Sequence, residues 1–157
     1  MRRRSACFCV LPILALAACG SDSTSETNKC SAQSTYEVVN SIFATRGCTA
    51  STCHGADESS AAAGLDLRPS TLYENTVNVA SASSTLPLVF PADEERSVLY
   101  LKVASKTIGT DLTEFGVAGG SMPTTDDALT EDELGLLRAW IRGGAPRAGV
   151  VRDAPDV

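Results

Sequence analysis

The sequence predicts a small, loop-rich all-α domain, and three observations carry that prediction. Two segments, at Ser34 and at Thr130, open with the S/T-x-x-E spacing of a capping box and continue with apolar residues at three- and four-residue intervals. The stretches between them are rich in Gly, Ser, Thr and Pro, the residues of turns and loops. No alternating pattern persists long enough for a strand, and no repeat at a period of about 20–50 residues is visible.

The elements follow in order along the chain. Ser34-Thr35-Tyr36-Glu37 satisfies free N–H groups at a helix start, Val38, Val39, Ile42 and Phe43 fall on one face behind it, and Arg46-Gly47 supplies the stop. Residues 69–77 and 93–104 are weaker helical candidates, the second opened by Asp93, Glu94 and Glu95, acids that favour a helix N-terminus. Thr130 to Glu133 opens the last strong helix. Leu134, Leu137 and Ile141 form its stripe, Leu136 and Trp140 widen it, and Gly143-Gly144 ends it before Pro146. Residues 56–67, 81–91 and 107–125 are the connecting loops.

The start of the chain reads differently. Arg2, Arg3 and Arg4 precede a short apolar run, residues 6–18, that is interrupted by Pro12 and ends in small residues. This is the pattern of a secretory signal, and it falls short of the roughly 20 apolar residues a membrane span needs. Its ending, Leu16-Ala17-Ala18-Cys19, resembles the lipobox of bacterial lipoproteins, which implies cleavage after residue 18 and acylation of Cys19. Gly20 stands where enteric lipoproteins retained in the inner membrane carry aspartate. The expected location is therefore the cell envelope, on the outer membrane, facing the periplasm or the surface.

The expected organisation is a signal over residues 1–18, a lipid-anchored flexible tether over 19–34, a folded domain over 35–146 and a disordered tail over 147–157. The tether is Ser/Thr-rich with scattered charge, and its coil reaches roughly 20 Å root-mean-square. Loss of the signal leaves 10 basic residues against 19 acidic ones. Such a surface excludes nucleic acid and adsorption to anionic head groups as partners, and suits a soluble body held to the membrane through its N-terminal lipid.

Little in the chain suits catalysis. There is one histidine, and no G-x-S-x-G elbow for an activated serine. The pairs Asp126-Asp127 and Glu131-Asp132 lie near a helix start, where acids ordinarily cap or face solvent. The protein is not expected to be an enzyme.

The single histidine lies in Gly47-Cys48-Thr49-Ala50-Ser51-Thr52-Cys53-His54-Gly55. Covalent haem attachment uses two thiols and an adjacent histidine in the spacing C-x-x-C-H; here the spacing is C-x4-C-H, two residues longer. C-x4-C-H sites occur in some multi-haem cytochromes. Beyond the signal the chain has one methionine, Met122, in the loop Gly119-Gly120-Ser121-Met122-Pro123. A core methionine would sit in a hydrophobic stripe, whereas a Gly/Ser/Pro loop is where a soft thioether ligand is expected. The residues leave other arrangements open. Export permits a Cys48–Cys53 disulfide, and Cys30 adds a third thiol that could pair instead. Cys48, Cys53, His54 and Met122 are also soft ligands of the kind copper(I) takes, and zinc would want Cys30 as a fourth.

Cys53-His54-Gly55, Gly64-Leu65-Asp66-Leu67, Ser121-Met122-Pro123 and the run Leu136-Leu137-Arg138-Ala139-Trp140-Ile141-Arg142-Gly143-Gly144-Ala145-Pro146 together resemble class I-like cytochrome c domains. The likeness is closest to the planctomycete-type cytochrome c domains of bacterial lipoproteins, whose Pro91-Ala92-Asp93-Glu94-Glu95-Arg96-Ser97-Val98-Leu99-Tyr100 segment is also similar. It extends over most of residues 36–146. The resemblance implies N- and C-terminal helices packed around one covalent haem c, held by Cys48 and Cys53 with His54 and Met122 as axial iron ligands. Leu137 and Trp140 would lie on or near the macrocycle, and the function would be electron transfer with redox partner proteins of the envelope. The long C-x4-C loop departs from the usual pattern. The alternative is a haem-free, disulfide-stapled lipoprotein of the same fold that acts as an interaction module.

Overall fold

The computed structural model describes residues 33–57, 59–155 and 157. The signal, the lipidation expected at Cys19, nearly all of the tether and the third thiol, Cys30, lie outside the described residues.

Among the described residues, four α-helices and two short 3-10 turns make up the regular structure. Helix α1, Thr35–Thr45, carries the predicted capping box: Glu37 N–H donates to Ser34 Oγ at 3.2 Å, and Ser34 N–H donates to the Glu37 carboxylate at 2.7 Å. It buries Tyr36, Val39, Ile42 and Phe43 and ends at Arg46, followed by Gly47 at φ 71°. Helix α2 is one short piece, Leu72–Thr76. Helix α3 spans Val98–Ile108, and helix α4 spans Glu131–Arg142 behind the second capping box, Thr130 with Glu133. The 3-10 turns are Ala62–Gly64 and Leu112–Phe115.

Helix α4 is the centre of the packing, with α1 and α3 both set against it. The core is one cluster that includes Val39, Phe43, Leu72, Val89, Val98, Leu101, Leu137, Trp140 and Ile141. Among the described residues the only β pairing is two isolated bridges, Val77 with Val89 and Ala80 with Pro87. The all-α class therefore holds.

Helix α3 starts five residues later than the acids at 93–95 suggest. Asp93 Oδ1 instead accepts from the Glu95 and Arg96 N–H groups, closing a turn. Ser97 Oγ is likewise engaged outside the helix, accepting from Phe90 N–H at 2.9 Å and donating to Asp93 O at 2.8 Å. The first N–H groups of α3, those of Val98 and Leu99, are taken by the Pro87 and Leu88 carbonyls at 3.0 and 2.9 Å. A neighbouring chain segment thus does what a side-chain cap would do.

The segment after residue 146, expected as a disordered tail, is tied to the domain. Thr35 N–H donates to Gly149 O at 3.1 Å, and Val151 N–H donates to Thr35 Oγ1 at 2.8 Å. Arg147 pairs with Glu74 and lies over the Tyr73 ring. Thr35 lies on the first turn of α1, where N–H groups lack intrahelical partners, so the returning chain meets a standing demand.

Candidate functional site

The end of α1 delivers the chain into the cysteine loop. Arg46 is held by a bidentate pair with Glu133, its Nε at 3.1 and 2.9 Å from the two carboxylate oxygens. The same Glu133 closes the capping box of α4, so the exit of α1 and the entry of α4 are fastened together. The cysteine motif follows directly from that fastened exit, whereas the Met122 loop is held to α3 through Lys102.

The C-x4-C-H loop is built on its own backbone. Cys48 N–H donates to Phe43 O at 2.9 Å, and His54 N–H returns to Cys48 O at 3.1 Å. Ala50 O accepts from both Cys53 N–H and Gly55 N–H at 2.9 Å. The fold-back is so close that a Cβ on Gly55 would stand 1.8 Å from Thr49 O, which no side chain tolerates. The two extra residues between the cysteines are thus accommodated in a compact turn that only glycine at position 55 permits.

Cys48 and Cys53 are separate thiols, both half-buried. Burial pushes the Cys48 thiol up to about 11, its own backbone hydrogen bond offsets part of that, and neighbouring Cys53 adds to the rise. His54 is half-buried, with Nδ1 at 2.9 Å from Leu65 O. Since a carbonyl only accepts, this contact requires a proton on Nδ1, and in the neutral ring it leaves the lone pair on Nε2. The main chain reinforces this: Leu67 N–H donates to His54 O at 2.7 Å, and Ala62 N–H donates to Cys53 O at 2.8 Å.

Met122 is half-buried and packs on the core cluster that Cys48 and Leu65 also touch. Its loop is held by one residue of α3. Lys102 O accepts Met122 N–H at 2.9 Å, while Lys102 Nζ donates to Ala118 O at 2.6 Å and Gly120 O at 3.1 Å. Partial burial lowers the Lys102 ammonium below its ordinary value.

The structure therefore joins Cys48, Cys53 and His54 in one loop and sets Met122 on the same core cluster as Cys48. Trp140 and Leu137 depart from the expectation that they would face a macrocycle. Both are enclosed, at 0% and 1% exposure, with Trp140 lying 5.8 Å from Tyr36 between ring centroids and donating Nε1–H to Pro146 O at 2.9 Å. Two surface concavities, of about 440 and 650 Å³, are lined by α1 residues such as Glu37 and Asn40 and by the outer face of α4; neither lining includes Cys48, Cys53, His54 or Met122. Among the described residues no three His, Cys, Asp or Glu side chains gather closely enough to hold a metal ion, and Cys30, which the zinc arrangement would need, lies outside them. No described helix is long and apolar enough to cross a membrane.

The donor set fits a c-type haem: two thiols, unpaired among the described residues, for the vinyl groups, one imidazole whose Nδ1 is engaged, and one thioether. The Leu65 carbonyl and Lys102 were not foreseen. Lys102 had a signal, a lone charge within the apolar run Val98-Leu99-Tyr100-Leu101-Lys102-Val103-Ala104. The Leu65 carbonyl had none, because a main-chain acceptor can come from any residue. Comparison with protein-family models, curated proteins and solved structures finds no match.

Proposed function

We propose that the chain is a lipid-anchored mono-haem c-type cytochrome that carries electrons in the cell envelope. The observation that carries this reading is His54, the only histidine, whose Nδ1 is engaged by Leu65 O in the same loop as Cys48 and Cys53, two thiols that are unpaired among the described residues. Metal-binding histidines characteristically donate their second nitrogen in this way, which fixes the ring and raises its basicity. Cys48 and Cys53 would hold the haem through thioether bonds, with His54 and Met122 as its axial ligands. Bound haem supplies an iron that cycles between Fe(III) and Fe(II).

The chain's own residues supply rigidity. The Cys48–Gly55 turn, the Leu65–Leu67 segment and the Lys102-tethered loop hold the candidate ligands on packed structure, so that a change of iron charge meets little reorganisation. Acylated Cys19 and the tether would keep the domain within reach of membrane-side redox partners. Expression of the full chain with and without the haem-attachment machinery tests the reading. The protein is expected to stain for covalent haem only when the machinery is present. Met122→Ala is expected to keep the covalent haem and lose the long-wavelength sulfur-to-iron band. A band that survives this substitution removes Met122 as ligand, and a chain that never stains returns the haem-free interaction module.

A further inference from the structure

We propose that Asp66 and Arg68 form a positioning unit for His54, setting the direction of the carbonyl that fixes its ring. The accepting carbonyl of Leu65 belongs to the same planar peptide unit as the Asp66 nitrogen, so whatever immobilises Asp66 also aims the acceptor. Asp66 is nearly sealed, at 4% exposure. Its Oδ1 accepts from Arg68 N–H at 2.9 Å and Arg68 Nε at 3.0 Å, and its Oδ2 accepts from Nε at 3.1 Å and from the terminal guanidinium nitrogen at 2.7 Å.

The next peptide unit is pinned at both ends. Asn75 Nδ2 donates to Asp66 O at 3.0 Å, and Leu67 N–H donates to His54 O at 2.7 Å. Arg68 then reaches across to Asp57 Oδ1 at 2.7 Å, joining the chain just beyond His54 to the segment that receives its ring. A guanidinium fork is suited to this, since it holds both oxygens of one carboxylate in a fixed plane and keeps a donor for the second. A turn whose only duty was to reverse the chain would need none of these bonds aimed at the peptide beside the His54 acceptor. The Asp57 contact is exposed and adds little by itself.

This proposal rests on reading His54 as an iron ligand, and its test separates the two. His54 is the protein's only histidine, so its ring nitrogen signals are unambiguous in the 15N-labelled full chain. Where covalent haem is present, the readouts are the midpoint potential and solvent exchange of the Nδ1 proton; where it is absent, the readout is the ring tautomer. Arg68→Ala is expected to raise the potential, because a weaker Nδ1 hydrogen bond makes the imidazole a poorer donor to Fe(III), and to speed the proton exchange. Without haem, the parent chain is expected to show the Nδ1–H tautomer and Arg68→Ala a mixture. Arg68→Lys keeps the charge without the fork and is expected to shift the same readouts by less; it serves if Arg68→Ala does not fold. A variant that loses melting temperature while these readouts stay at parent values overturns the positioning role. A tautomer shift in a chain that never takes haem supports the positioning role and rejects the cytochrome reading.

Discussion

Cys48 sits where burial works against its own reactivity. With its thiol pushed up to about 11 from its ordinary value of 9.0, its thiolate fraction at neutral pH falls by about a hundredfold, while the greater nucleophilicity of a more basic thiolate returns about tenfold. In haem-free chain, alkylation of Cys48 is expected to run about tenfold slower than that of a solvated cysteine, a difference that timed iodoacetamide labelling with peptide mass mapping can read. Asp66 shifts the other way. Its hydrogen bonds from Arg68 outweigh burial and hold its carboxyl down at about 2, below the unfolded value of about 3.9. The deprotonated form is therefore favoured by folding, and the stabilisation is complete above about pH 5 and is lost progressively as pH falls through the folded value. The melting-temperature gap between the parent and Asp66→Asn is expected to be constant above pH 5 and to shrink to a small remainder by pH 2; a gap undiminished at pH 2 rejects that assignment. At this scale the sequence made Cys48, Cys53, His54 and Met122 legible because each is chemically scarce in the chain. Asp66 stood in a recognised motif without a role, since its partners become meaningful only once the Leu65 carbonyl is seen to face the histidine.

The helices at the two ends were legible for a local reason. A capping box satisfies backbone groups three residues away, so its signature lies within a single turn of sequence. Thr130→Ala is expected to destabilise the domain by about 1 kcal/mol, measured by urea unfolding. Glu133 gives that box a second importance, because it also receives Arg46 and so couples the start of α4 to the entry of the cysteine loop. Helix α3 was misplaced because its first N–H groups are capped by Pro87 and Leu88, partners that local spacing does not reveal. The same helix shows how one residue can organise a loop. Lys102→Met removes the ammonium that bonds Ala118 O and Gly120 O, and is expected to speed amide exchange across residues 118–122 and weaken the sulfur-to-iron band in haem-loaded chain. Unchanged exchange there would mean that packing alone holds the loop.

For the molecule as a whole, charge and covalent chemistry are the decisive quantities. The expected mature chain keeps 19 acidic residues against 10 basic ones, so under the proposed function a cationic redox partner would be steered to it by long-range attraction. Electron exchange with a cationic acceptor is expected to slow as ionic strength rises, and exchange with an anionic acceptor to quicken. The all-α class followed from two capped helices and the absence of alternation. The return of residues 147–155 onto α1 and α4 did not, because a Gly/Pro/Asp-rich segment carries no pattern that names its docking partner. Likewise, Trp140 reads in sequence as part of the α4 stripe, and only the resemblance set it on or near a macrocycle; its contacts with Tyr36 and Pro146 lie too far along the chain or on the main chain for local spacing to name. The most direct test of the cytochrome reading is the alkaline pyridine haemochrome spectrum of the chain matured in the presence of the haem-attachment machinery. A spectrum of haem with both vinyl groups saturated, from pigment that resists acid–acetone extraction, is the predicted result. Extractable haem, or none, would contradict it.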